Sequence, residues 1–223
     1  MYRRFFKRFI DIFIAMIGLP VLFLIYIFVG PLIKLTDRGP VFYNAQRIGK
    51  DGKIFKMFKF RSMMVDAPDL RLPDGSTYNG EDDPRVTQIG NLLRKTSLDE
   101  APQIINVLFG DMSLIGPRPD PPDWLNRYHK EIKVFLTVRP GITGYSQAYF
   151  RNSADGEDKM KNDAYYALNC SFLIDIKIFF KTITVVFKRE NTYKETSSDL
   201  LVDLEMINLN NNTIGTKDAG YNA

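Results

Sequence analysis

The chain has 223 residues, 45% of them hydrophobic and 25% charged, enough for one folded domain with a real core. A single cysteine, Cys170, rules out a disulfide framework and a cysteine-rich zinc site, and a single histidine, His129, makes a multi-histidine metal site or a histidine-based triad hard to build. Acid–base or covalent chemistry therefore falls to carboxylates, hydroxyls or lysines. The net charge of +4 is modest, so the placement of the cations matters more than their excess.

The chain opens with four cations, Arg3, Arg4, Lys7 and Arg8, ahead of an almost unbroken apolar run from Ile12 to Ile33. That run is about long enough to cross a bilayer as a helix. A secretory signal has a shorter apolar region and a small-residue cleavage site, so a membrane-attached protein is expected. Pro20 falls mid-run, where it removes a helical hydrogen bond. Lys34 and Arg38 add positive charge beyond the run, which favours keeping both ends cytoplasmic. A helix-break-helix that enters and leaves by one face satisfies both observations; a plain spanning anchor with a tolerated proline is the alternative.

Next, "GPVFYNAQRIGKDGKIFKMFKFRSMM" predicts a β-hairpin, two strand-like runs flanking a two-residue Asp51-Gly52 turn. Its second strand carries Lys56, Lys59 and Arg61, either a solvated basic edge or a phosphate-facing strand. Residues Pro68 to Pro84 form a polar, Pro/Gly-rich loop, a site element or an insert.

In "RKTSLDEAPQ", Ser97 and Glu100 have capping-box spacing, and apolar residues follow at helical spacing up to Gly110. Pro102 must lie in the first turn, so Asp99 can be the cap instead. In either register Asp99 is expected at a helix N-terminus with Arg94 and Lys95 nearby, where negative charge is favoured. The pair is then a helix cap, or a nucleophile and its helper, and local chemistry leaves both open.

Pro117-Arg118-Pro119 holds a guanidinium on a stiff segment suited to bidentate phosphate or planar base contacts. "VRPGITG" adds a Pro-Gly turn, and Arg151 and Asp163 follow. There is no G-x-G-x-x-G and no P-loop lysine. Trp124, Tyr128 and His129 are read as structural. Residues Ser171 to Glu190 suit an interfacial amphipathic helix or, equally, a core element, and the chain after Glu195 turns polar.

The blocks "QRIGKDGKIFKMFKFRSM", "DPRVTQIGNLLRKTSLDEAPQIINVLFGDMSLIGPRP" and "VRPGITG" together resemble the bacterial sugar transferase family. These are monotopic phosphoglycosyl transferases that start glycan assembly on undecaprenyl phosphate. The likeness is to the minimal form and runs from the membrane segment to about Lys188.

The resemblance implies an α+β, mostly helical, monotopic membrane protein. It would combine an N-terminal re-entrant helix-break-helix (residues 1–36), a β-hairpin and interfacial helices in a catalytic domain (37–190), and a polar tail (191–223). The break falls at Leu19-Pro20, where the family usually has Ser-Pro.

The mechanism implied is ping-pong. Asp99 would attack the β-phosphate of a UDP-sugar, UMP would leave, and undecaprenyl phosphate would take the phosphosugar from Asp99. Mg²⁺ is the implied cofactor, with Asp99 and Glu100 as its protein ligands. Lys59, Arg61, Arg94, Arg118 and Arg151 are the implied phosphate and uridine contacts, with Asp163 orienting one of these cations. The sugar is unread; "NGEDDP" and "DPPDW" are where specificity could lie.

The implied place is the cytoplasmic face of the bacterial inner membrane, among membrane lipids. Downstream glycosyltransferases and a second copy of the chain are allowed as partners, and nucleic acid is not expected. Without the resemblance, the same cations fit a non-catalytic, membrane-tethered module that binds anionic lipid or nucleic acid.

Overall fold

Residues 42–60 form the expected hairpin. Strands β1 (Phe42–Ile48) and β2 (Ile54–Phe60) pair antiparallel in register from Phe42↔Phe60 to Ile48↔Ile54. In this computed structural model, which describes residues 1–71, 78, 80, 82–129, 132–150 and 156–188, the connection is longer than two residues. It runs from Gly49 to Lys53, closed by Gly49 N donating to Lys53 O at 2.7 Å, with Asp51 and Gly52 both left-handed. Ala45, Ile48, Met57 and Phe60 turn inward, while Tyr43, Ile54 and Lys56 face out.

The remaining elements are mostly helical. α1 is Lys7–Asp37, α2 Gln88–Lys95, α3 Gln103–Phe109, α4 Tyr145–Tyr149, α5 Gly156–Asn169 and α6 Phe172–Lys188. A second, parallel pair joins β3 (Ser113–Ile115) to β4 (Gly141–Thr143). This pair brings the Pro-Arg-Pro and Pro-Gly motifs together, although they lie far apart in sequence. The backbones nearly touch: a Cβ at Gly141 would sit 2.1 Å from Gly116 N, and one at Gly144 would sit 2.1 Å from Gly116 O. Glycine is required there for close approach.

α1 is one continuous helix that runs through Pro20 and Pro31, so the expected division at Pro20 is not present. Each proline removes one backbone donor, and the neighbouring turns stay helical because the domain packs against them. Lys7 pairs with Asp175, Asp11 accepts from Ser113 and Leu114, and Ala15 packs with Met57, Val107 and Met112. Gly18 lies against Ile104, Leu22 and Ile33 join Phe60 and Leu93, and the Tyr26 ring stacks on Phe42. Asp37 closes the row by pairing with Arg61.

These positions recur every three, four or seven residues, so one face of α1 is docked along its length. The opposite face is apolar and bare, with Phe9 and Phe28 each 71% exposed. By length and composition, the segment Tyr2–Asp37 could cross a membrane. Yet no stretch of about 20 residues is free of the domain, which a straight crossing needs.

α6 repeats this division. Asp175, Ile178 and Val185 are buried, while Phe172, Leu173, Phe179 and Phe180 are exposed. Asp175 accepts from Tyr2 Oη, Lys7 Nζ and Tyr166 Oη at 2.5, 2.6 and 2.7 Å, which locks α6, α1 and α5 together. Trp124 and Tyr128 lie in the core as expected, and His129 is exposed. The tail, residues 191–223, lies outside the described residues.

Candidate active site

The dyad sits in a single 3₁₀ turn, Leu98–Glu100, just before α3. Neither capping arrangement forms. Ser97 adopts φ 58° and makes no side-chain cap bond, and α3 starts later, with Pro102 at its N-cap and Gly110 (φ 93°) closing it as expected. A left-handed serine is uncommon and held against its own preference by its surroundings, here directly before the two carboxylates.

The carboxylates face cations instead of backbone amides. β2 presents Lys59, whose Nζ lies 2.9 Å from Glu100 Oε1 and 3.4 Å from Asp99 Oδ2. The Pro-Arg-Pro turn presents Arg118, whose guanidinium donates to Glu100 Oε1 at 2.8 Å. Burial by itself would raise the Glu100 carboxyl, but Arg118 and Lys59 outweigh it and hold the group well below the usual carboxylate range. Glu100 in return raises Arg118.

Asp99 is only 7% exposed, yet among the described residues its one bond is the long one from Lys59. A carboxylate offers about four acceptor positions, so the Asp99 Oδ1 oxygen keeps its lone pairs among the described residues. The dyad is thus asymmetric, with Glu100 pinned and Asp99 lightly held.

Two devices place these groups. Asn106, fully buried on α3, accepts from Phe58 N at 2.9 Å and donates to Lys56 O at 2.8 Å, tying α3 to the edge of β2 and setting the height of Lys59 over the dyad. Gly90 lets α2 dock on the end of β2; a Cβ there would lie 1.8 Å from Ser62 O. A polar residue amid the apolar positions of 98–108 was a readable signal for Asn106, and it was missed. Gln103, one turn after the dyad, is 2% exposed and its Nε2 has no partner among the described residues.

The other expected contacts go to different places. Arg61 is committed to Asp37 and to the carbonyls of Pro40 and Met63, so it latches the end of α1. Arg94 donates to Ser62 Oγ at 3.1 Å and lies 3.8 Å from Asp83, which itself holds the buried Arg85. Lys56 is exposed, so the basic strand divides: one lysine to solvent, Lys59 to the dyad, Arg61 to α1. Asp163 is buried behind the Arg118 turn, 3.8 Å from Lys159. Arg151 lies outside the described residues, as does part of "NGEDDP".

Among the described residues no three His, Cys, Asp or Glu side chains cluster as a protein-only metal cage. Two adjacent carboxylates suit Mg²⁺, which usually takes one or two protein carboxylates and completes its shell with water and substrate phosphates.

The profile of the bacterial sugar transferase family matches residues 2–189, and the chain belongs to that family. A galactosyl transferase of Streptococcus agalactiae is 43% identical over 81% of this chain. The undecaprenyl-phosphate galactose phosphotransferase of Salmonella typhimurium is 39% identical over 85% of it. An exopolysaccharide production protein of Sinorhizobium fredii is 38% identical over 84% of it. The chain spans 42% of the length of the first two relatives and 88% of the third.

Proposed function

We propose that the chain transfers a sugar-1-phosphate from a UDP-sugar to undecaprenyl phosphate, through a phosphosugar held on Asp99. One observation carries this reading: a buried aspartate with an oxygen unengaged among the described residues, beside a glutamate that two cations already satisfy. An Asp99 oxygen attacks the β-phosphorus. The bond from that phosphorus to the bridging oxygen breaks, and UMP leaves with the electron pair. An undecaprenyl phosphate oxygen then attacks the same phosphorus and the Asp99 carboxylate departs.

Lys59 and Arg118 offset the negative charge that gathers as two anions approach. Asp99 and Glu100 would hold Mg²⁺, which would supply further charge neutralisation there. The relatives' names include an undecaprenyl-phosphate galactose phosphotransferase and a UDP-glucose:undecaprenyl-phosphate glucose-1-phosphate transferase, which supports this donor and acceptor class. The bare apolar faces of α1 and α6 would seat the domain in one leaflet, at the cytoplasmic face of a bacterial inner membrane, where a soluble nucleotide can meet a lipid phosphate. A passive anion-binding surface fits less well, because Lys59, Arg61 and Arg118 are already paired with carboxylates.

Intact-protein mass spectrometry tests the reading. Protein with Mg²⁺ and a panel of UDP-sugars, without lipid, gains the mass of one phosphosugar, and Asp99→Asn gains none. An adduct that persists in Asp99→Asn would sink the assignment of the nucleophile.

A further inference from the structure

The dyad chemistry leaves one cluster without a role. Behind the Pro-Arg-Pro turn, Lys159 of α5 donates to both carboxylate oxygens of Asp120 at 2.6 and 2.8 Å, and to the backbone oxygen of Arg118 at 3.5 Å. Asp120 also accepts from Tyr128 Oη at 3.0 Å, and its backbone oxygen accepts from Ile48 N at 2.9 Å. A residue two places after Arg118 therefore gathers the end of β1, the turn around Tyr128 and α5. At the far side Asp163, 2% exposed, backs the lysine.

Arg118 needs such support. Its side chain is 43% exposed, and its guanidinium is held at the tip by a bond to Glu100. Prolines at 117, 119 and 121 fix φ around it but do not fix where the segment sits on the domain. A Lys159–Asp163 pair serving α5 alone would be an ordinary i,i+4 contact and would not reach the Arg118 turn.

We propose that Lys159 is a positioning residue for the transfer reaction: by gripping Asp120 and the Arg118 backbone, it fixes the Pro117–Asp120 turn so that Arg118 reaches Glu100. The proposal rests on the reading of the dyad given above. Lys159 touches no reacting atom in this role; it acts through Arg118.

The test compares full-length wild type, Lys159→Met and Lys159→Arg in nanodiscs. UMP release is measured with UDP-galactose, UDP-glucose or UDP-N-acetylgalactosamine and undecaprenyl phosphate, alongside hydrogen exchange by mass spectrometry. Misplacing a group by about 1 Å can cost about 100-fold, so Lys159→Met is expected to lower kcat/KM on the order of 10- to 100-fold per folded molecule. Exchange should rise at Ile48 and over residues 116–124 but not in α3, and Lys159→Arg should recover part of the rate.

Unchanged kcat/KM in folded Lys159→Met overturns the proposal. So does a loss of rate with unaltered exchange at Ile48 and 116–124. If wild type turns over none of the three donors, the reading of the dyad is what has failed for this panel. The grip is then judged by exchange alone, and no change in Lys159→Met overturns it.

Discussion

Asp99 and Asp175 are both buried aspartates that face a lysine, and they are bonded in opposite ways. Asp175 takes hydrogen bonds from Tyr2, Lys7 and Tyr166, all at 2.7 Å or less. Among the described residues Asp99 takes a single bond, at 3.4 Å. A carboxylate that only holds helices together gains by filling its acceptor positions, because every unmet one costs free energy in a dry site. A carboxylate that must attack phosphorus has to keep a lone pair free. On the proposed reading, Asp99 is the reactive acid of the two and Asp175 the structural one.

Removing the two charges should break the contrast most sharply. Asp99→Asn should lower kcat on the order of 1,000-fold or more while the melting temperature stays near wild type, read by UMP release and a thermal melt. If activity persists, Asp99 belongs with Asp175 as a structural group. Glu100→Gln, which loosens Lys59 and Arg118 without removing the nucleophile, should cost on the order of 100-fold in kcat.

At the other site the loss should appear in stability. Asp175→Ala strands Lys7 and should destabilise by about 3 kcal/mol, with kcat per folded molecule little changed. A large fall in kcat in correctly folded Asp175→Ala would erase the distinction.

Asp163 offers a finer test through pH. Burial pushes its carboxyl up from 3.8 to about 7, with Asp120 adding to the rise and Lys159 opposing it. The folded state therefore holds the proton more tightly than the unfolded chain. The stability this confers is full below about pH 4 and is lost as pH rises through about 7. Wild type should melt several degrees lower at about pH 8 than at about pH 5, and Asp163→Asn should show a shallower fall across that range. Equal slopes would count against the shift. The smallest effect belongs to Lys56→Ala: this lysine is exposed, and its rate should stay within about threefold of wild type.

Local signals carried much of this molecule in the sequence. The hairpin was legible in two strand-like runs around Asp51-Gly52, although the wider turn from Gly49 to Lys53 sets a register one residue away from the one a two-residue turn would give, and Gly110 marked the end of α3. The resemblance implied Lys59 and Arg118 as phosphate and uridine contacts, and the fold sets both against Glu100. What stayed hidden depended on distant partners. The resemblance implies Arg61 as a phosphate or uridine contact, and only the path of α1 shows that Asp37 pairs with it. The β3–β4 pair was unreadable because each strand is three residues long and its partner comes more than 20 residues later. The capping box had the right letters, but Ser97 is turned left-handed and bonds no amide. Pro20 signalled a broken helix, but packing against Ile104 and its neighbours keeps the helix whole.

The docking of α1 along the domain has a practical consequence for handling the protein. Leu22 and Ile33 share one apolar cluster with Phe60 and Leu93, and Ala15 shares another with Met57 and Met112. A version shortened to begin after Asp37 would not be a released soluble enzyme. It would open both clusters to water and leave Arg61 and Asp175 without their helix partners. Solvent conditions for this protein should therefore be chosen for how well they preserve the helix–domain contact, because the helix with the bare apolar face also forms one wall of the hydrophobic interior.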